Sequence, residues 1–171
     1  MLEQFNNITT FVFDVDGVLT DGQLLVMPNG LMARSMNIKD GYALQLAVKK
    51  GYRVIIISGG HSPEVKERLE KLGVSEVHMQ VSDKLGLLKT ILAESDTAQN
   101  SCLYMGDDMP DLDCMKWVGL PVCPQDAVNE IKEVALYISS KNGGTGCARD
   151  VIEKVLKLRG DWNDQFSLRA Q

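Results

Sequence analysis

Residues 10–22 read TFVFDVDGVLTDG, and this stretch decides the fold. Its first four residues are aromatic or β-branched, which is typical of a short strand covered on both faces of a sheet. Two acids, Asp14 and Asp16, follow where that strand would end. In a doubly wound parallel sheet the binding crevice lies beyond the carboxyl ends of the strands. We therefore expect both carboxylates at the mouth of such a crevice.

The rest of the chain alternates between strand-like and helix-like segments. Further strand-like runs lie at residues 53–57, 76–79, 101–104, 120–123 and 136–138. Between them apolar residues recur at helical spacing, and Gly51 and Gly73 are placed to end two helices. Strands separated by helices of about 10 residues predict parallel βαβ units. We expect one α/β domain over residues 1–160, built as a doubly wound parallel sheet, and a C-terminal tail at residues 161–171.

Residues 23–37 interrupt this alternation. Asn29 and Gly30 lie between two apolar runs, a pair that favours the tight turn of a β-hairpin. A protruding hairpin with Leu, Val and Met side chains would expose apolar surface, so one interpretation is that a partner subunit covers it. The alternative is a hairpin folded back on its own domain.

Composition excludes several classes of protein. Of 171 residues, 44% are hydrophobic and 24% charged, which are globular values and argue against disorder. Asp and Glu (23) outnumber Lys and Arg (18), so a surface for nucleic acid or an anionic membrane is not expected. The apolar runs are far too short to span a membrane, and no signal segment is visible at residues 1–10. We expect a cytoplasmic protein whose four dispersed cysteines are reduced.

Further acids follow the run at residues 101–104. A group of carboxylates at one sheet edge repels itself unless a cation binds there. Asp14, Asp16 and Asp107 are therefore candidate ligands of Mg²⁺, which prefers oxygen ligands and keeps part of its shell for water and phosphate. Asp108 and Asp111 are candidates to orient those ligands.

A phosphate can be bound beside these acids. Ser58 and Gly59 follow the run at residues 53–57 and precede a predicted helix. A hydroxyl and backbone N–H groups in that position can bind phosphate. Lys84 would bring a compact positive charge to the same group.

Four motifs occur in one order: Asp14-x-Asp16-Gly17, Ser58, Lys84, and Gly106-Asp107-Asp108-x-x-Asp111. Together they resemble the haloacid dehalogenase (HAD) superfamily of aspartate-nucleophile phosphatases. The resemblance implies that Asp14 is the nucleophile, and that Asp16 protonates the leaving oxygen and then activates water. It also implies that Ser58 and Lys84 bind the phosphate, while Asp14, the Asp16 carbonyl and Asp107 hold Mg²⁺.

The resemblance extends to the capless branch of that superfamily, which includes the 3-deoxy-D-manno-octulosonate 8-phosphate phosphatases. It is carried by residues 13–22, 37–41, 82–84, 104–111 and 143–150. The segment between Ser58 and Lys84 is too short for a cap domain beyond one helix and one strand. The resemblance implies a HAD-like Rossmannoid fold and a homotetramer assembled by the hairpins. It further implies a phosphomonoesterase in lipopolysaccharide biosynthesis whose small-molecule substrate is that phosphorylated sugar acid.

Two positions depart from the family pattern. A basic residue often follows the glycine of the Ser58 loop, where this chain has Gly60, and another often stands where this chain has Thr145. A nonulosonate 9-phosphate of the KDN or sialic acid type is therefore an alternative substrate. Arg68 is a candidate for gripping the substrate carboxylate, and its alternative is a solvated helix face. The resemblance also lets the tail, with Phe166, reach a neighbouring active site.

Three other functions compete with this interpretation. A response-regulator receiver domain shares the acids and the lysine, but its phosphoacceptor follows an internal strand, whereas Asp14 follows the first. A non-catalytic oligomerisation module is a second alternative. Every acid of the motifs is intact, which argues against it. A HAD phosphatase for some other small phosphate ester is the third.

Overall fold

The computed structural model describes residues 2–162. Its strands are β1 (Thr10–Phe13), β2 (Leu25–Val26), β3 (Met32–Ala33), β4 (Arg53–Ile57), β5 (Glu76–His78), β6 (Cys102–Met105), β7 (Leu120–Cys123) and β8 (Tyr137–Ile138). Six of them form one parallel sheet in the order β5-β4-β1-β6-β7-β8. Strand β1 lies between β4 and β6, so the carboxyl ends of these three strands meet at one edge.

Seven helices cover the sheet within residues 2–162. They are α1 (Leu2–Asn6), α2 (Ile38–Lys49), α3 (Pro63–Lys71), α4 (Lys84–Glu94), α5 (Leu112–Trp117), α6 (Asn129–Val134) and α7 (Cys147–Leu158). Helices α1, α2, α3 and α7 pack on one face and α4, α5 and α6 on the other. Phe11 and Phe13 of β1 pack against the helices on the first face, and Val12 packs against those on the second. The uniformly apolar run therefore reflects burial on both faces, and the predicted doubly wound α/β fold is confirmed.

Helix boundaries follow local capping chemistry. Helix α2 begins at Ile38, because the Asn37 side chain accepts a hydrogen bond from the Lys39 N–H (2.8 Å). Helix α3 begins at Pro63, since proline suits the first turn of a helix. Gly51 and Gly73 follow α2 and α3 with φ of +85° and +92°, the left-handed conformation that ends helices.

The predicted β-hairpin is present. Strands β2 and β3 pair antiparallel, with Leu25 opposite Ala33. Gly30 has φ +79° in the connecting turn, where Asn29 accepts a hydrogen bond from the Leu31 N–H. The large apolar side chains of the hairpin are exposed: Leu24, Leu25, Val26, Met27, Leu31 and Met32. The hairpin thus does not bury these side chains on its own domain.

The segment between Ser58 and Lys84 contains only α3 and β5, so there is no cap domain within residues 2–162, as expected. In that same part of the chain, every helix is too short or too polar to cross a bilayer. The four cysteines are buried and free. Of the expected tail, Asp161 accepts a hydrogen bond from the Tyr52 hydroxyl (2.7 Å). Residues 163–171, including Phe166, lie outside the described residues.

Candidate active site

The site forms where β1, β4 and β6 end. The Asp14 N–H donates to the Met105 carbonyl (3.1 Å), and the Ser58 N–H donates to the His78 carbonyl (2.9 Å). The backbone ladders therefore continue one residue beyond the strands and hold both residues at the sheet edge. A cavity of about 580 Å³ opens there. Its lining includes nearly every residue expected to act: Asp14, Asp16, Ser58, Gly59, Lys84, Asp107, Asp108 and Asp111.

Lys84 joins two of the acids. Its Nζ lies 2.9 Å from Asp14 Oδ1 and 2.8 Å from Asp111 Oδ1, and its side chain is only 5% exposed. Burial alone would lower the pKa of Lys84, but the two carboxylates outweigh burial and raise it. The ammonium therefore stays charged beside the Asp14 carboxylate.

Asp111 is fixed by three donors. Its Oδ1 accepts from Lys84 and from the Tyr104 hydroxyl (2.7 Å), and its Oδ2 accepts from the Asp107 N–H (3.2 Å). It thus ties the end of β6 to the start of α4. The contact of Tyr104 could not be predicted from the sequence, because a buried aromatic residue in a strand gives no signal that its hydroxyl serves the site.

The acidic residues fit a divalent cation. Asp14, Asp107 and Asp111 each offer an oxygen within 4.8 Å of the others, and among the described residues the buried Asp107 Oδ1 has no hydrogen-bond partner. Burial and the charge of Asp14 raise the pKa of Asp107 to about 8. Burial and Asp111 raise the pKa of Asp14 to about 7. Bringing such oxygens together is unfavourable without a cation, and a hard divalent ion suits them.

Asp16 faces a different partner. The Arg34 Nε donates to Asp16 Oδ1 (2.6 Å), and another guanidinium nitrogen of Arg34 donates to Oδ2 (3.1 Å). Arg34 comes directly after β3, so the hairpin supplies a partner for one acid of the catalytic cavity. This pair could not be predicted from the sequence, because the two residues are 18 positions apart and belong to no shared motif.

Glycines allow the loops of the site to approach one another. Gly17 has φ +88°, and a Cβ there would lie 1.9 Å from Asp107 Oδ2. A Cβ at Gly143 would lie 2.0 Å from the Gly17 carbonyl oxygen. The segment around Gly143 therefore packs directly against the loop that follows β1. Thr145 bonds only locally, to the Asn142 carbonyl (2.8 Å), and is exposed.

Arg68 does not line the catalytic cavity. It lies beside an adjacent cavity of about 470 Å³ between the hairpin and α3, which Arg34 and Glu64 also line. A Cβ at Gly41 would lie 3.3 Å from the Arg68 guanidinium, so the side chain packs against α2. Its position is therefore neither a solvated helix face nor the phosphate site.

This fold, with acids after β1 and β6, a hydroxyl after β4 and a lysine at the start of α4, defines the class of haloacid dehalogenase-like hydrolases. Residues 74–150 match the sequence pattern of a family described as haloacid dehalogenase-like hydrolase. The 3-deoxy-D-manno-octulosonate 8-phosphate phosphatase KdsC of Escherichia coli K12 is 32% identical over 160 residues, which cover 94% of this chain and 85% of that protein. The chain belongs to the haloacid dehalogenase-like hydrolases and, within them, to the family of these phosphatases. The expected enzyme class, a phosphomonoesterase, is confirmed.

Solved structures agree in fold. The phosphatase of the same name from Moraxella catarrhalis, in complex with magnesium, phosphate and KDO, has a TM-score of 0.91 at 31% identity and covers 94% of this chain and 92% of its own. The cobalt-bound form of the Haemophilus influenzae enzyme has a TM-score of 0.87 at 28% identity, covering 92% of each chain. Both relatives hold a divalent metal, as the acidic cluster of this chain would allow.

Proposed function

We propose that the chain is a magnesium-dependent phosphatase that hydrolyses a phosphorylated 2-keto-3-deoxy sugar acid, with 3-deoxy-D-manno-octulosonate 8-phosphate as the first candidate. The observation that carries this proposal is the buried line Asp14–Lys84–Asp111 beside the unpaired oxygen of Asp107. The similarity to the E. coli and M. catarrhalis phosphatases supports the substrate. A place in lipopolysaccharide biosynthesis and a cytoplasmic location belong to the same proposal.

The reaction takes two steps. In the first, the Asp14 carboxylate attacks phosphorus, the ester P–O bond breaks, and Asp16 gives its proton to the leaving sugar oxygen. In the second, Asp16 takes a proton from water as that water attacks the aspartyl-phosphate. The bond between phosphorus and Asp14 then breaks, which releases inorganic phosphate and restores the carboxylate.

The other residues of the cavity position the phosphoryl group. Lys84 neutralises one of its oxygens, while the Ser58 hydroxyl and the Gly59 N–H donate hydrogen bonds. The Ser58 oxygen already accepts from the Gly60 N–H (3.1 Å), so its proton is available to a ligand. Asp14, Asp107 and the Asp16 carbonyl would hold Mg²⁺. When bound, the ion neutralises the carboxylates and the charge on the phosphoryl oxygens.

A nine-carbon nonulosonate 9-phosphate is the second candidate. The observation in its favour is Gly60, which lines the catalytic cavity without a side chain. A longer sugar acid then meets no side chain at that point of the wall.

A substrate panel tests the proposal. Phosphate release with Mg²⁺ would be measured for the octulosonate 8-phosphate, a nonulosonate 9-phosphate, a hexose 6-phosphate and p-nitrophenyl phosphate. We expect kcat/KM for the octulosonate ester to exceed the others by about tenfold or more. Asp14→Asn should abolish turnover while circular dichroism shows an intact fold, and the exposed control Asp113→Asn on α5 should keep full activity.

Other outcomes of the panel are informative. Preference for the nonulosonate ester would replace the first candidate with the second. Weak and uniform activity would leave a phosphatase but remove the sugar-acid assignment. A folded protein without any activity would favour the oligomerisation module instead.

A further inference from the structure

The ion pair between Arg34 and Asp16 engages the carboxylate that the proposed reaction uses as its acid and base. Two guanidinium nitrogens donate to the two oxygens of Asp16, and the Arg34 side chain is only 5% exposed, while that of Asp16 is 34% exposed. For proton transfer, an Asp16 oxygen must come within hydrogen-bond reach of the substrate's leaving oxygen. A bidentate pair directs both oxygens at the arginine. The pair therefore competes with the leaving oxygen for Asp16, and opening the pair gives the leaving oxygen free access to that carboxylate.

The surroundings show what could open it. The pair forms the wall between the catalytic cavity, which Asp16 and Gly60 line, and the adjacent 470 Å³ cavity, which Arg34 lines. A Cβ at Gly60 would lie 2.9 Å from Asp16 Oδ2 and 3.1 Å from the Arg34 guanidinium. The absence of a side chain at residue 60 thus leaves room for the guanidinium beside the Ser58 loop.

Two guanidinium groups at this wall can bind an anion, although Asp16 and Glu64 balance their charge in this structure. The adjacent cavity is lined by two guanidinium groups, of Arg34 and Arg68, and by one carboxylate, of Glu64. An organic carboxylate has the same planar, two-oxygen geometry as the Asp16 side chain and can accept the same pair of hydrogen bonds. Exchanging one carboxylate for the other keeps the number of charge-assisted hydrogen bonds to Arg34 constant.

We propose that Arg34 is the residue that recognises the carboxylate of the substrate, and that it leaves Asp16 when it binds this group. The inference rests on the proposed function, because it requires a substrate with a carboxylate remote from its phosphate. Recognition of the sugar acid then frees an Asp16 oxygen for the leaving group. Phosphate esters without a carboxylate leave the pair closed and react slowly. Arg34 is in this way a specificity-determining residue supplied by the hairpin.

The test compares two substrates in wild type and two variants. The ratio of kcat/KM for the octulosonate 8-phosphate to that for p-nitrophenyl phosphate, which lacks a carboxylate, would be measured in wild type, Arg34→Gln and Arg34→Lys. Arg34→Gln should lower the ratio about tenfold or more, mainly through KM of the sugar acid. Arg34→Lys should lower it less, since lysine keeps the charge but not the two-pronged geometry.

Arg53→Gln is the matched control, because Arg53 makes a bidentate pair with Glu76 (2.7 Å for both bonds) at the other end of the sheet, away from the cavity. It should leave the ratio within about twofold of wild type. A second readout is inhibition of p-nitrophenyl phosphate hydrolysis by the free sugar acid, which should weaken about tenfold in Arg34→Gln.

The outcomes separate this inference from the function on which it rests. If wild type prefers the sugar acid and both Arg34 variants keep that preference and the inhibition, Arg34 does not recognise the carboxylate. Equal losses on both substrates would show a purely structural role and overturn the inference as well. If wild type itself shows no preference, the proposed function is wrong and the inference falls with it.

Discussion

One buried cation faces three buried or half-buried carboxylates in the catalytic cavity. Lys84 contacts Asp14 and Asp111 directly, and Asp107 lies in the same cluster without a cationic partner among the described residues. Burial, together with this excess of negative charge, explains why the pKa values of Asp14 and Asp107 lie well above that of an ordinary aspartate. At the residue scale, the site is thus preorganised for a divalent cation, whose charge cancels much of the mutual repulsion among the carboxylates.

Tyr104→Phe tests whether Asp111 depends on the Tyr104 hydroxyl for its position. The change removes the hydroxyl that donates to Asp111 Oδ1, so Lys84 becomes the remaining side-chain donor to that oxygen. Losing a hydrogen bond to a charged group should lower stability by about 1–2 kcal/mol. Because Asp111 positions Lys84, we also expect kcat to fall about tenfold. Steady-state kinetics and thermal melts would measure both effects.

Tyr137→Phe is the control for that change. The Tyr137 hydroxyl donates to Asp150 Oδ2 at the same distance, 2.7 Å, but away from the catalytic cavity. It should lower stability modestly and leave kcat unaltered. If Tyr104→Phe lowered stability without lowering kcat, Asp111 would not depend on the hydroxyl for its position.

The acids of the site could be predicted from the sequence, but their partners could not. Asp14 and Asp107 each come just after a strand, and carboxyl ends of parallel strands converge, so sequence order alone places them together. The contacts of Tyr104 and Arg34 instead depend on side-chain direction and on how the hairpin packs. Neither leaves a periodic or motif-like trace in the sequence.

At the scale of elements, the exposed hairpin is the feature that calls for a partner. Six large apolar side chains of residues 24–32 are exposed although Arg34, just beyond them, is anchored in the site. An apolar patch of this kind is typical of an interface. We therefore keep the proposal that hairpins from several copies of the chain assemble a homotetramer.

Leu25→Glu tests the hairpin interface. Leu25 is 65% exposed in the isolated chain, so the substitution should not harm the fold, but a carboxylate in an apolar interface is strongly unfavourable. We expect the oligomer to dissociate in sedimentation velocity at micromolar protein. Leu2→Glu is the control, because Leu2 is 71% exposed on α1, away from the hairpin. An unchanged sedimentation coefficient for Leu25→Glu would count against the interface.

Element boundaries show how far periodicity reaches. Strands β1, β4 and β7 have the predicted bounds, because each is a compact apolar run next to a polar or glycine residue. Strand β6 lies one residue later than predicted, at Cys102–Met105. Helices α1 and α5 were not predicted. They have five and six residues, fewer than two turns, so no apolar stripe can repeat along them.

At the scale of the whole molecule, the sequence predicts a parallel sheet but not its strand order. The order follows from long-range contacts, such as the packing of α2 against α7 and of Gly143 against Gly17. Asp40 shows such coupling: its Oδ1 accepts from the Arg149 N–H (2.7 Å) and so joins the start of α2 to α7. Burial raises its pKa to about 6. The free energy of unfolding therefore depends on the protonation of Asp40.

The metal-free protein should lose stability as pH rises from 5.5 to 8.5. Asp40, Asp14 and Asp107 have pKa values raised from 3.8 to about 6, 7 and 8, so the folded chain binds protons that the unfolded chain has released. The stability that these protons provide is fully present below pH 4, falls as pH rises above 4, and is lost once pH has passed the folded-state pKa values of about 6, 7 and 8. Asp150 and Glu153 have lowered pKa values, and their contribution is already complete above pH 5.

Thermal melts in EDTA and in excess Mg²⁺ would measure this linkage. Between pH 5.5 and 8.5 we expect Tm in EDTA to fall by about 5 °C or more. Mg²⁺ competes with protons for the same carboxylates, so the Tm difference between Mg²⁺ and EDTA should grow with pH. Asp107→Asn removes the most strongly shifted acid and should flatten the EDTA profile, whereas the exposed control Asp113→Asn should not. A Tm in EDTA that stays level or rises with pH would show that the acids are not protonated in the folded chain, and the electrostatic argument for the cation site would then fail.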